Sequence, residues 1–180
     1  MLQKLINFSH YSSIKIGIPK IVNIIQTPKD YYSLLQNSTP QIIGKANNLL
    51  ISPEAKNLIL LDDDFDYIKD YENYLEVGGL TPSRKLFTYA KKNNLKGFEI
   101  LGGIPGSIGG IIKMNAGLKN HEIKSTLLGI LSIQDSHVLE FTPTQALKLE
   151  YRSSAIDTLI FAGIFKKKKG FDTDLLKHFK

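Results

Sequence analysis

"GFEILGGIPGSIGGIIKMNAG", residues 97–117, is the stretch whose reading decides this chain. From Leu101 to Gly117 it holds Gly102, Gly103, Gly106, Gly109, Gly110 and Gly117, six glycines in seventeen positions, with one proline and one charge. Glycine allows positive φ and lets a backbone N–H approach a ligand with no Cβ in the way. Successive N–H groups in such a turn form a concave nest suited to phosphate. The alternative is a pair of tight turns with structural glycines; Pro105, stiffening the loop between flanking glycines, weighs against it. The common nucleotide motifs do not fit. A P-loop needs Gly-Lys-Ser/Thr where the chain has Gly109-Gly110-Ile111, and a dinucleotide fingerprint begun at Gly103 meets Pro105 at its second glycine.

The chain around this loop has 180 residues, 42% apolar and 22% charged, enough for one domain or two small lobes with a real core. It has no cysteine, which excludes disulfides, thiolate metal sites and cysteine nucleophiles and fits a reducing compartment. The first ten residues lack the apolar centre of a secretory signal. The apolar run Leu159–Phe165 is far short of the roughly 18–20 residues of a membrane helix, so a soluble, cytoplasmic protein is expected. The net charge of +6 is scattered apart from Lys166 to Lys169, with no basic face carrying interleaved aromatics. Nucleic acid is therefore not expected as a partner; the lysine run reads as a solvated turn, and a modest positive field suits a small anion. His10, His121, His137 and His178 show no metal-ligand spacing, and no metal is implied.

The pattern predicts strands over 20–26, 41–44, 57–61 and 73–79, the last alternating with Leu75 and Val77 on one face. "DDDFD", residues 62–66, reads as a solvated boundary turn. Helices are expected over 28–36, opened by Pro28, and over 81–94, with Thr81 as N-cap and Pro82 at the first helical position. After the glycine loop come strands over 125–133 and 137–141, a short helix over 143–151, a strand over 158–165 and a helix begun in 172–180. The fold class is α+β.

Residues 97–117 resemble the signature of the UDP-N-acetylenolpyruvoylglucosamine reductase family, in Gly103-Ile104-Pro105-Gly106, Gly109-Gly110 and Asn115-Ala116-Gly117. Three further segments fall in the family's order over roughly the whole chain. "SSIKIG" (12–17) resembles the strand by which the family's chain enters the fold, "IIGKANNLL" (42–50) its first flavin loop, and "YRSS" (151–154) its tyrosine-arginine element. The resemblance implies a two-lobed FAD-binding fold of the vanillyl-alcohol oxidase type, with residues 1–64 as the first lobe and 65–180 as the second. It implies that Gly44, Lys45, Ala46, Asn47, Asn48 and Leu49 wrap one side of FAD. Gly103, Ile104, Pro105, Gly106, Ser107, Gly109 and Gly110 would supply N–H groups from the other side, with Asn115, Ala116 and Gly117 near the flavin. The implied reaction is NADPH-linked reduction of UDP-N-acetylglucosamine enolpyruvate to UDP-N-acetylmuramate in peptidoglycan synthesis by a monomeric enzyme, without nucleic-acid partners or membrane insertion. Arg152 would meet the charge that develops towards the substrate carboxylate. Tyr151, beside an apolar strand, reads as a core tyrosine.

The sequence departs from the family at two places. Ala46 and Asn47 stand where the family has glycine and serine, a small change because asparagine tolerates left-handed backbone. The family's proton-donor serine, in a glycine-serine-any-phenylalanine-lysine-asparagine-proline element, and its C-terminal glutamate are not in this sequence, nor is the substrate-binding part that holds them. Binding of FAD with little or no turnover is the expectation. The rivals are a non-catalytic FAD or nucleotide module and a basic interaction protein that would bind nucleic acid with strong salt dependence.

Overall fold

The computed structural model describes residues 1–178, with side chains through residue 176. The end of the helix expected over 172–180 and the side chain of His178 lie outside the described residues.

Two sheets carry the chain. The first has the order β1 (Leu2–Asn7), β2 (Pro19–Ile25), β4 (Leu58–Leu61), β3 (Gln41–Ile42). β1 and β2 are antiparallel, whereas β4 runs parallel to both β2 and β3. All four residues of β4 are buried, as a parallel strand covered on both faces requires. The crossover between β2 and β3 contains α2 (Pro28–Leu35). Its start is written in the sequence: the Thr27 side chain accepts from the Asp30 N–H, the Asp30 carboxylate accepts from the Thr27 N–H at 2.8 Å, and Pro28 opens the first turn. β1 and the short α1 (Phe8–Tyr11) carry no such signal and were not predicted, because β1 is an edge strand with little burial on either face.

The second sheet is antiparallel, in the order β10 (Glu140–Pro143), β9 (Leu127–Ser132), β11 (Ala162–Lys166), β6 (Tyr74–Gly78), β5 (Ile68–Asp70). The expected alternation holds in β6, where Leu75 and Val77 are buried. Asp63–Phe65 form a 3₁₀ turn between the sheets, capped by Asp62, whose side chain accepts from the Asp64 N–H. One core joins the sheets through Val22, Ile24, Leu58 and Ile59 from the first and Ile133, Leu159 and Phe161 from the second segment of chain. The other core packs α3 (Ser83–Lys92) and α4 (Ile108–Lys113) on the second sheet, through Leu86 and Ala90, Ile108, Ile111 and Ile112, against Leu75, Val77 and Phe165. Among the described residues no helix is long and apolar enough to cross a membrane.

Several expectations are corrected. α3 begins at Ser83, with Pro82 as N-cap, because the Thr81 hydroxyl donates to the Tyr67 carbonyl instead of capping. Residues 143–151 make only a 3₁₀ turn, Thr144–Leu147, stopped by Lys148 in left-handed backbone at φ 45°. The strand expected over 137–141 starts at Glu140. "SSIKIG" is not a strand; the chain turns there through Lys15 (φ 60°) and Gly17 (φ 138°), where a Cβ would lie 2.6 Å from the Phe8 Cβ. The lysine run is solvated, with Lys166, Lys168 and Lys169 exposed, but it is not a turn: Lys166 ends β11, Lys167 pairs with Asp70 at 2.5 Å, and the Lys168 carbonyl accepts from Lys96 N–H. Tyr151 is 78% exposed, because the turn that holds it stands off the sheet.

Candidate functional site

The glycine-rich stretch is a loop followed by a helix. Its loop, Gly103 to Ser107, is bolted to the segment that joins β6 to α3. Ser83 N–H donates to Gly106 O (2.8 Å), Ile108 N–H to Thr81 O (2.9 Å) and Gly109 N–H to Gly79 O (2.8 Å). Gly109 is a glycine for this approach, since a Cβ there would sit 3.1 Å from the Gly79 oxygen. α4 then forms despite Gly109 and Gly110, poor helix residues at roughly 1 kcal/mol each. Ile108, Ile111 and Ile112 at helical spacing are all buried, and Ser107 caps the helix by accepting from the Gly110 N–H. At its far end the helix closes in a Schellman motif: Asn115 N–H reaches Ile112 O (2.9 Å) and Ala116 N–H reaches Ile111 O (2.8 Å), with Asn115 left-handed at φ 38°.

The bonds divide the expected donors. Gly103, Ile108 and Gly109 donate within the chain, whereas the N–H groups of Ile104, Gly106 and Ser107 have no acceptor among the described residues. Gly106 has φ 142°, and a Cβ on it would meet nothing closer than 3.8 Å, so the space beside it is open.

The first loop is held by its carbonyls. Tyr11 OH donates to Gly44 O (2.9 Å), Ser13 N–H to Ala46 O (3.3 Å) and Ser13 Oγ to Asn47 O (2.5 Å). In a trans peptide the N–H points opposite the carbonyl. The N–H groups of Lys45, Asn47 and Asn48 therefore face away from Tyr11 and Ser13, and they have no acceptor among the described residues. Ala46 accepts the left-handed conformation the loop demands, at φ 49°. Burial, followed by the nearby Asp63 charge, pushes the Tyr11 hydroxyl up to about 12, so it stays a neutral donor. Tyr11 and Ser13 were missed as site residues, because their contacts span more than thirty positions and leave no local pattern.

The two loops meet. A Cβ on Gly44 would lie 2.5 Å from Ser107 Oγ, and one on Gly106 would lie 3.9 Å from Asn47 Nδ2. Two sets of N–H groups without an acceptor among the described residues thus stand on two loops that touch; Lys45 is half-buried, and Asn48 and Leu49 are exposed. Anions are the ligands such an array holds. A groove of about 370 Å³, lined by Tyr31, Ile130, Ser132, Asp135, Asp157 and Thr158 among others, opens elsewhere, beside α2. Its two carboxylates make it unsuited to phosphate.

Asn115 and Ala116 are buried, and Gly117 lies where a Cβ would be 2.3 Å from His121 O, so all three are packed at the end of the helix. Arg152 is exposed at the tip of a turn closed by Glu150 N–H to Ser153 O (3.0 Å) and Ser153 N–H to Glu150 O (3.3 Å). Its φ of 57° is a strained conformation for arginine, of the kind that concentrates at functional sites. Its guanidinium lies 5.8 Å from the centre of the Tyr151 ring.

No protein-family model matches the chain. The UDP-N-acetylenolpyruvoylglucosamine reductase of Helicobacter hepaticus is 45% identical over 179 residues, covering 99% of this chain and 66% of that protein. The structure of UDP-N-acetylenolpyruvylglucosamine reductase from Thermus caldophilus matches with a TM-score of 0.82 at 21% identity, over 99% of this chain and 66% of that one. Cholesterol oxidase from Brevibacterium sterolicum matches with a TM-score of 0.64 at 13% identity, over 93% of this chain and 37% of that one. The chain spans just under two thirds of the length of the reductases it matches. With a fold of the vanillyl-alcohol oxidase and UDP-N-acetylenolpyruvoylglucosamine reductase type, and with that identity along nearly its whole length, the chain belongs to the UDP-N-acetylenolpyruvoylglucosamine reductase family.

Proposed function

We propose that this chain is the FAD-binding portion of a UDP-N-acetylenolpyruvoylglucosamine reductase of peptidoglycan synthesis, with residues 1–64 and 65–180 as its two cofactor lobes. The observation that carries the reading is the pair of facing loops, Gly44–Asn48 and Ile104–Ser107, whose N–H groups are unpaired while their carbonyls at Gly44, Ala46, Asn47 and Gly106 are engaged. A pyrophosphate fits that donor set, since two phosphates offer several acceptor oxygens and the N–H array holds charge-assisted bonds of about 1.5–3 kcal/mol each. Bound there, FAD would supply hydride chemistry for the enolpyruvyl double bond of the UDP-sugar substrate, with NADPH as the reductant.

The chain's own residues do the holding. Lys45 adds a positive charge beside the phosphates, and Tyr11 and Ser13 keep the first loop's donors turned outward. Arg152, without a carboxylate partner among the described residues, is placed to pair with the substrate carboxylate and stabilise the charge that builds towards it. The two loops of this chain are expected to hold FAD by themselves. The test is a visible spectrum of the purified chain after incubation with FAD and desalting. A retained band near about 450 nm, the absorption of oxidised flavin itself, is expected. A protein that comes off the column colourless, and shows no quenching of FAD fluorescence in titration, refutes the proposal.

A further inference from the structure

We propose that Asn115 is a positioning residue for Arg152, tying the arginine turn to the helix that begins at the phosphate loop. The inference rests on the reading of Arg152 above.

α4 has an unusual set of attachments for six residues. Its N-terminus is the Ser107 cap, beside Gly106 and Gly44. Its C-terminus grips the chain on both sides of the Arg152 turn. The Asn115 side chain, 1% exposed, donates from Nδ2 to Glu150 O at 2.9 Å and accepts at Oδ1 from Lys124 N–H at 3.4 Å. Ser154 Oγ donates to Lys113 O at 2.6 Å, and Lys113 Nζ donates to Ile156 O. Residues 150, 154 and 156 are thereby fixed to one helix end, and Arg152 stands at the tip between them.

The identity of residue 115 sharpens the point. Its backbone is the left-handed position that ends a Schellman motif, where glycine is the easiest residue. Asparagine is there for its amide, which reaches the Glu150 carbonyl, the same oxygen that closes the turn by accepting from Ser153 N–H. Both acceptor positions of that carbonyl are used, one by the turn and one by the helix. Arg152 makes no polar contact of its own among the described residues, so the turn's orientation decides where the guanidinium points.

The test is Asn115→Gly in the ligand-free chain, followed by amide exchange and by the Nε–H resonance of Arg152. Glycine keeps the helix end and removes only the side-chain bonds. Exchange of the Ser153 amide is expected to speed up about fivefold, the factor of one ordinary hydrogen bond, while the amides of Ile111 to Lys113 stay as they were. The Arg152 resonance should move towards that of a free arginine side chain. Asn115→Asp, which retains an acceptor for Lys124 N–H but presents no donor to Glu150, should behave like the glycine variant. An unchanged Ser153 amide and Arg152 resonance overturns the proposal, as does equal acceleration along α4, which would make Asn115 only a helix stabiliser. No cofactor enters this experiment, so a wild-type chain that takes up no FAD sinks the flavin reading without touching this one.

Discussion

Substituting Gly44 tests whether the two loops form one cradle. A Cβ at residue 44 would land 2.5 Å from Ser107 Oγ and 3.7 Å from Ser107 Cβ, with nothing else within 4 Å. Only the hydroxyl stands in the way. Gly44 also has a backbone conformation open to alanine, so the steric conflict with one oxygen is the whole local penalty. That oxygen caps α4 by accepting from Gly110 N–H, and rotating it away forfeits the cap, worth about 1 kcal/mol. Gly44→Ala is therefore expected to cost about 1 kcal/mol or somewhat more in urea unfolding. Ser107→Ala alone costs about the same, for the same cap. In the Ser107→Ala background the new methyl meets only a Cβ at ordinary contact distance. Gly44→Ala should then cost nothing, or stabilise by a few tenths of a kcal/mol through the unfolded chain. The double-mutant cycle thus predicts a coupling energy of about 1 kcal/mol between residues 63 positions apart in sequence, well above the additivity error of distant sites. In FAD titration the single Gly44→Ala variant should weaken binding up to about fivefold, the factor that corresponds to about 1 kcal/mol, and Ser107→Ala should recover part of that loss. Equal cost of Gly44→Ala in both backgrounds would refute the cradle geometry, whatever happens to flavin binding.

Two further predictions concern the scaffold. Asp70 accepts from Lys167 and from the Tyr89 hydroxyl, and the Lys167 bond first and the Tyr89 bond second hold its carboxyl below the usual carboxylate value of 3.8. A depressed folded pKa contributes stability that is present above the unfolded value and is lost as pH falls below about 3.8 towards the folded one. Asp70 is 37% exposed, so solvent screening limits the term to a few tenths of a kcal/mol up to about 1. Thermal unfolding of Asp70→Asn should show a lower midpoint at neutral pH and a shallower fall below pH about 4; parallel pH profiles would contradict the assignment. Ser132 is 1% exposed, and its hydroxyl has no partner among the described residues. Ser132→Ala should leave stability unchanged or raise it by about 1 kcal/mol, because an unpaired buried hydroxyl is removed; a loss of 1 kcal/mol or more would mean the hydroxyl is bonded in solution.

What the sequence made legible was whatever is decided within a few residues. The Thr27–Asp30 capping box, the alternation of Leu75 and Val77, and the loop from Gly103 to Gly106 are local signals, and each has its counterpart in the structure. What stayed hidden is decided across the chain. β1 could not be read because its partner β2 lies beyond a turn and its own residues face solvent. α4 was disguised by Gly109, which is a glycine for the carbonyl of Gly79 thirty residues away, and by Gly110 beside it. Tyr151 looked like core because it precedes an apolar segment, yet the bonds from Asn115 and Lys113 to residues 150 and 154 lift the turn between them into solvent. The lysine run looked like a turn because its partners, Asp70, Tyr71, Asn93 and Lys96, come from two other segments.

The same long-range bonds bear on how the site would work. A phosphate loop that must be ordered by its ligand loses part of the binding energy to that ordering. Here both loops already have carbonyls fixed, the first by Tyr11 of α1 and by Ser13, the second, at Gly106, by Ser83 at the start of α3. The donors are left unpaired as a consequence of that fixing, not of flexibility. Through α4 the second loop is also continuous with the Arg152 turn, so a ligand held at Gly106 and Ser107 and a carboxylate held at Arg152 would be referred to one rigid element of six residues. Such an element sets the distance between cofactor and substrate without any contact between their binding groups, which is what orientation at a reacting centre requires. The glycines that admit the phosphates and the asparagine that steadies the arginine are then two ends of one device.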